Sequence, residues 1–130
     1  MLCAAVCLSV MGQGFGQNPS RQATPSPTPA VKISPADQAS FDLAKNDDES
    51  GATQQAIADY KQFIKGSPAS PLASKAQYRI AELFEAAGEL SKAFDAYQTL
   101  LTRYPDTPEF EKSVTRQVVI ANTFLSLIHI

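Results

Sequence analysis

The chain has 130 residues, of which 44% are hydrophobic, and its formal net charge is −2. This length suits one small domain with tails, and without a basic stripe the sequence argues against a nucleic-acid partner. Both cysteines, Cys3 and Cys7, lie in the first seven residues, and the single histidine is His129. That distribution argues against a disulfide framework and against a Cys/His metal site.

Residues 1–16 form a short apolar stretch followed by small residues, and we interpret them as a signal-like segment for export. Gly14 and Gly16 suit the −3 and −1 positions of a cleavage site. The stretch is shorter than the roughly 20 residues that span a bilayer. No Lys or Arg precedes the apolar run, which favours a start at an internal Met. Lipidation at Cys7 is the alternative, although Val6 stands where the lipoprotein peptidase favours a small residue.

Residues 17–34, QNPSRQATPSPTPAVKIS, are rich in Pro, Ser, Thr and Gln. This composition offers too little apolar surface to offset the entropy of ordering the chain. We therefore expect a disordered linker between the export signal and a folded domain.

The segment 35–124 carries an internal repeat of period 37. Four residues recur at this distance in the pairs Gly51/Gly88, Ala56/Ala93, Tyr60/Tyr97 and Pro68/Pro105. The agreement extends to Ala44/Ala81, Phe41/Tyr78 and Pro71/Pro108. A fixed period of roughly 20–50 residues is typical of a solenoid array.

Each unit is predicted to consist of a helix, a turn and a second helix, at 35–46, 53–65, 71–87, 90–104 and 109–124. Ser70 and Thr107 are predicted N-caps, each followed by a proline at the first helical position. Gly88 is predicted to end the third helix, because glycine tolerates the left-handed conformation found there. The small side chains of Ala81 and Ala93 let two helices approach closely, and Tyr97 fills the gap between units.

This pattern resembles the tetratricopeptide repeat, whose usual unit has about 34 residues. The longer period here comes from three extra residues in the linker 104–108. The resemblance implies an all-α helical solenoid of about two and a half repeats. Its structural signature positions in this chain are Gly51, Ala56, Tyr60, Pro68, Ala81, Gly88, Ala93, Tyr97 and Pro105.

The linker YPDTPEF resembles the bacterial envelope branch of that family, in which YP-x-S/T-P joins consecutive helix pairs. Two groups share it: the BamD-like lipoproteins of outer-membrane protein assembly and the YbgF/CpoB-like periplasmic proteins of the Tol-Pal system. The stretch EFEKSVTRQVVIANTFL favours the BamD-like group, and the short Pro-rich linker, where a coiled coil is expected, argues against the other. A structural repeat module of a longer protein is a further alternative.

The resemblance implies a non-catalytic scaffold, without cofactor or metal, that binds other envelope proteins or extended peptides. It implies export to the periplasm or the periplasmic face of the outer membrane, with membrane contact only through the signal or a lipid anchor. The residues of the sequence agree with a non-catalytic role, since no Ser/His/Asp set, metal-ligand spacing or Gly-rich phosphate loop is found. The acidic run 47–49 lacks the alternating ligands of a calcium loop and is interpreted as a solvated turn.

In this family the first helix of each unit lines the concave face, so the resemblance also implies a partner-binding groove. Aromatic side chains flanked by charge suit an extended peptide or a partner helix, and packing between first helices is the alternative. Gln38 and Thr115 are predicted to lie on the same face of the first helices as the groove residues. The predicted groove residues are Phe41, Lys45, Lys75, Tyr78, Glu82, Glu85, Lys112 and Val119.

The last six residues, LSLIHI, break the repeat, because Leu125 stands where the period predicts glycine. A common transposon adapter used in sequencing libraries encodes the same six residues, and we interpret 125–130 as an adapter artefact. The natural chain is then expected to continue beyond Phe124. We expect Val114, Val118 and Ile120 to lie on a face that the incomplete third unit leaves uncovered.

Overall fold

The computed structural model describes residues 32–129, which form five α-helices joined by short turns. The signal-like segment and residues 17–31 of the predicted linker lie outside the described residues. Within 32–129 there is no strand, so the prediction of an all-α helical solenoid is confirmed. The helices are α1 (Pro35–Glu49), α2 (Thr53–Gly66), α3 (Pro71–Ala86), α4 (Leu90–Arg103) and α5 (Glu109–Ile128).

The helices stack as two complete antiparallel pairs, α1–α2 and α3–α4, followed by α5. Each helix packs against the next one along the chain, and the first helices α1, α3 and α5 also contact one another in sequence. The second helices α2 and α4 do not contact each other within the described part of the chain. The array therefore bends towards the side formed by the first helices, which we call the first-helix side.

Two glycines terminate the first helices of both complete units. Gly51 has a φ of 82° and Gly88 a φ of 76°, as the sequence predicts. After each glycine the next amide reaches back to close the helix: Ala52 N–H donates to Asp47 O and Glu89 N–H to Phe84 O, both at 2.9 Å. These six-to-one bonds satisfy carbonyls that would otherwise lack a partner at the helix end.

Buried residues of the core recur at the 37-residue period of the sequence. Alanines 44, 56, 81 and 93 are all fully buried, so small side chains occupy these four repeat positions in the core. Tyr60 and Tyr97 are also buried, with 1% and 0% of their surface exposed. A buried aromatic side chain of this size contributes about 1.5–3 kcal/mol through the hydrophobic effect, so these two residues anchor their units.

The predicted N-cap is confirmed at Ser70 but not at Thr107, although α5 begins at Glu109 as predicted. Ser70 Oγ accepts a bond from Leu72 N–H at 3.4 Å, and Pro71 occupies the first helical position. The prediction that Thr107 repeats this cap is wrong, because its hydroxyl instead donates to Tyr104 O at 2.8 Å. Pro108 becomes the N-cap of α5, and it supplies no side-chain hydrogen bond.

The boundary of α5 also differs from the prediction. The helix continues four residues beyond Phe124, through the start of the LSLIHI segment, because nothing in that segment breaks a helix. Val114 and Val118 are exposed, by 37% and 54%, as expected. Ile120 is 1% exposed and belongs to the core, so its predicted place on the uncovered face is wrong. Ile120 is buried by the preceding pair and needs no later unit to cover it.

Candidate functional site

Two open cavities lie next to each other along the first-helix side. The first lies at the junction of α1 and α3, and has a volume of about 280 Å³. The second lies at the junction of α3 and α5, and has a volume of about 540 Å³. They share Tyr78 and Arg79, so we treat them as one continuous first-helix groove. The α1–α3 cavity is lined by Phe41, Lys45, Asp48, Glu49, Tyr60, Lys75, Tyr78 and Arg79. The α3–α5 cavity is lined by Tyr78, Arg79, Glu82, Glu85, Ala86 and Arg116.

The two cavities are equivalent under the 37-residue repeat. Five of the six residues that line the α3–α5 cavity stand 37 positions after a residue that lines the α1–α3 cavity. The pairs are Phe41/Tyr78, Lys45/Glu82, Asp48/Glu85, Glu49/Ala86 and Arg79/Arg116. The groove is therefore a product of the repeat, although its two halves differ in volume and in some of the positions that line them.

Stacked aromatic rings form the floor of the groove. The rings of Phe41 and Tyr60 have centroids 5.5 Å apart, and the repeat-related rings of Tyr78 and Tyr97 have centroids 5.6 Å apart. Both pairs are tilted by 60°, within the range that aromatic quadrupoles favour. Phe41 and Tyr78 are only half-buried. They pack on the second helices and still present an edge to the groove, so packing and exposure to a ligand are compatible here.

An acid and an arginine join successive first helices at each junction. Arg79 donates to Asp48 from Nε at 2.5 Å and from Nη2 at 3.1 Å. The same bidentate pair recurs 37 residues later, where Arg116 donates to both carboxylate oxygens of Glu85. Planar two-point pairing between a guanidinium and a carboxylate is specific in geometry as well as favourable. We call these two pairs the junction ion pairs.

The tyrosines of the floor belong to the same networks. Tyr97 Oη donates to Glu85 at 3.2 Å. Burial, followed by the nearby Glu85 carboxylate, raises the pKa of Tyr97. Burial, followed by the Asp48 carboxylate, raises the pKa of Tyr60 to about 12. Both phenols are neutral near pH 7, and Tyr97 serves as a hydrogen-bond donor to the Glu85 carboxylate of a junction ion pair.

Comparison with protein-family models matches residues 75–107, which the model describes as a tetratricopeptide repeat. Residues 75–107 thus resemble a tetratricopeptide repeat. The matched segment runs from the first turn of α3 to the linker before α5, and residues 38–70 are its equivalents one period earlier. Comparison with curated proteins and with solved structures gave no significant match.

The tetratricopeptide framework brings six of the eight predicted groove residues together. Phe41, Lys45, Lys75 and Tyr78 line the α1–α3 cavity, and Glu82 and Glu85 line the α3–α5 cavity with Tyr78. Lys112 and Val119 lie on α5, exposed to solvent, and line neither of these two cavities.

Sequence reasoning missed Arg79 and Arg116, which occupy the centre of each junction. A signal was present, because these arginines and their partners Asp48 and Glu85 both repeat at period 37. The apolar signature of the tetratricopeptide repeat does not include them.

The acidic run 47–49 has a structural role in this framework. Asp48 pairs with Arg79, and Glu49 lies 3.4 Å from Lys45 Nζ. A hydrogen bond with the Asp59 carboxyl raises the pKa of Asp47. Across residues 32–129, no group of three or more His, Cys, Asp or Glu side chains is placed to hold a metal ion. Over the same residues, no helix is long and apolar enough to cross a bilayer.

Proposed function

We propose that the chain is a non-catalytic scaffold of the bacterial cell envelope that holds an extended segment of a partner protein in the first-helix groove. The tetratricopeptide repeat is a protein-interaction family without enzymatic activity, and its repeats bind peptides or proteins. The observation that carries the proposal is the groove itself, with its exposed aromatic edges and a rim of charged side chains.

The groove is suited to an extended ligand for three reasons. It is open along the array, and its two cavities adjoin. Its aromatic floor supplies apolar surface for side chains, while the junction ion pairs hold the first helices at fixed separation without any ligand. A site that is already formed loses little conformational entropy on binding. These properties favour a groove that receives a peptide over a surface that folds around its partner.

Our more specific proposal is that this scaffold takes part in outer-membrane protein assembly, as the BamD-like lipoproteins do. The linker YPDTPEF and the departure of the third unit from the repeat support it, and the signal-like residues 1–16 support export to the periplasm. The Tol-Pal group is the alternative, because it shares the linker.

Affinity capture from detergent-solubilised bacterial envelopes tests the proposal. The immobilised protein is compared with Lys75→Glu, which reverses an exposed charge on the groove rim, and with Lys65→Glu, which makes the same change near the end of α2. We expect the original protein and the Lys65→Glu variant to capture the same partner proteins. The Lys75→Glu variant is expected to lose them. Partners that bind all three proteins equally would contradict a groove-based scaffold. Recovery of Tol-Pal components in place of assembly-machine components would favour the alternative.

A further inference from the structure

The two halves of the first-helix groove carry opposite charge at matching positions. Lys45 in the α1–α3 cavity corresponds to Glu82 in the α3–α5 cavity, one period later. Both side chains are accessible, since 56% of the Lys45 side chain and 35% of the Glu82 side chain are exposed. A purely structural position would be expected to keep one charge across the repeat, as Arg79 and Arg116 do.

The junction ion pairs do not cancel this difference. Asp48 pairs with Arg79, and Glu85 pairs with Arg116. The remaining charges of the α1–α3 cavity are Lys45, Lys75 and Glu49. Glu49 lies 3.4 Å from Lys45 Nζ, so Lys75 is uncompensated and this half carries one net positive charge. In the other half Glu82 remains, and it must share Arg79 with Asp48. When Arg79 is counted once, against Asp48, the α3–α5 half carries one net negative charge, that of Glu82.

The aromatic lining is also uneven. Phe41 and Tyr78 both line the α1–α3 cavity, from opposite helices. The residue that corresponds to Tyr78 one period later is Thr115, which is not among the residues lining the α3–α5 cavity and whose hydroxyl donates to Glu111 O at 3.0 Å. Three aromatic residues, Phe41, Tyr60 and Tyr78, therefore line the first half of the groove, and Tyr78 alone of the aromatic residues lines the second.

We propose that the groove reads a dipolar peptide motif. An aromatic or large apolar side chain next to an acidic residue occupies the α1–α3 cavity, and a basic residue occupies the α3–α5 cavity. Packed helices lie about 8–10 Å apart, and an extended chain rises about 3.3 Å per residue. The acidic and basic residues of the ligand are therefore about three positions apart. This inference rests on the proposed function and adds the chemistry of the partner segment.

Selection of a random dodecapeptide phage library on the purified protein tests the motif. We expect a consensus with an acidic residue beside an aromatic one, and a basic residue about three positions away. The same selection on the charge-exchanged variant Lys45→Glu/Glu82→Lys is expected to return the two charges in exchanged order. The variant Lys65→Glu/Asp106→Lys makes an equal exchange outside the groove, and its consensus is expected to match that of the original protein.

Fluorescence anisotropy with the synthetic consensus peptide measures the effect. We expect the groove exchange to weaken binding about tenfold or more, because like charges then face each other, and a charge-exchanged peptide to restore it. Thermal melting followed by circular dichroism verifies that each variant folds. If peptide binding is lost in Tyr78→Ala but the charge exchange changes neither the consensus nor the affinity, this inference is overturned and the proposed function stands. Peptides whose binding is indifferent to both Tyr78→Ala and Lys75→Glu would overturn both.

Discussion

Gly88 stands where α3 must end in the left-handed conformation, and its environment isolates the cost of replacing it. A Cβ added there would meet no atom within 4 Å, so any penalty is a backbone penalty. A left-handed conformation costs an L-residue roughly 1–2 kcal/mol, and a β-branched side chain tolerates it least. We expect Gly88→Val to lower the free energy of unfolding by about 1 kcal/mol or more, measured by urea denaturation.

Gly66 provides the matched control for Gly88→Val. It also has open space around its Cβ position, but its φ is not positive. Gly66→Val should therefore change the unfolding free energy by less than the other substitution. An equal loss in both variants would show that Gly88 is not a conformational terminator.

The junction ion pairs couple neighbouring units, and a double-mutant cycle on Asp48→Asn and Arg79→Gln measures that coupling. The Asp48 side chain is 9% exposed and the Arg79 side chain is 44% exposed. Solvent screens the arginine, so we expect a coupling free energy of about 0.5–1 kcal/mol, at the upper end for partly exposed pairs. The coupling should weaken when salt is raised to 1 M. A coupling free energy of zero at low salt would contradict the assigned role.

The raised pKa of Asp47 predicts how the stability of the fold depends on pH. Its pKa is raised above 3.8 by the neighbouring Asp59 carboxyl, so the folded state binds a proton more tightly than the unfolded state does. Stability should therefore fall as pH rises from 3.8 through the raised pKa. We expect Asp47→Asn to melt at a higher temperature than the original protein at pH 7, and the difference to vanish below about pH 3.8. A difference that persists unchanged at pH 3 would refute this explanation.

At the scale of helices, the repeat signature predicted most of the structure. Glycine, proline and the small-residue positions placed all five helix starts, because each carries a local backbone or packing constraint that is visible in one sequence. Thr107 was misassigned because a hydroxyl that can cap a helix can equally donate to the preceding turn. The end of α5 was missed because the prediction relied on the repeat, whereas local helix propensity continues to Ile128.

The groove was only partly predictable for a related reason. The register of the repeat identified Phe41 and Tyr78 as groove residues, since the periodicity of the sequence shows which residues share one face of a first helix. Whether an arginine crosses to the next helix depends on side-chain reach and on the stacking angle between units. Neither is encoded in the apolar pattern, so the partners of Arg79 and Arg116 emerged only from the structure.

Hydrogen exchange should separate α3 from α5. α3 contacts all four other helices, whereas α5 contacts only α3 and α4. One side of α5 is buried through Ser113 and Ile120, and the other exposes Val118. Amide exchange reports local opening, so we expect the amides of α3 to be the slowest and those of α5 to exchange markedly faster. Equal protection of α3 and α5 in a monomeric sample would contradict this ranking.

At the scale of the whole molecule, the first helices carry both residues that pack the stack and side chains that line the groove. Glycines, alanines and buried tyrosines build the stack, and the junction ion pairs join its first helices. The residues left over on the first-helix side, such as Lys45, Lys75 and Glu82, vary in charge from unit to unit. A repeat that keeps its core and varies its rim can change partners without changing fold.

Site-specific photo-crosslinking tests the central claim, that the first-helix groove holds the partner. A benzophenone amino acid replaces Lys75 on the groove rim or Lys65 near the end of α2, both exposed positions. After irradiation in a bacterial envelope preparation, adducts are resolved by gel electrophoresis and mass spectrometry. We expect a discrete protein adduct from position 75 and none from position 65. Adducts of equal yield from both positions, or an adduct from position 65 alone, would contradict the account.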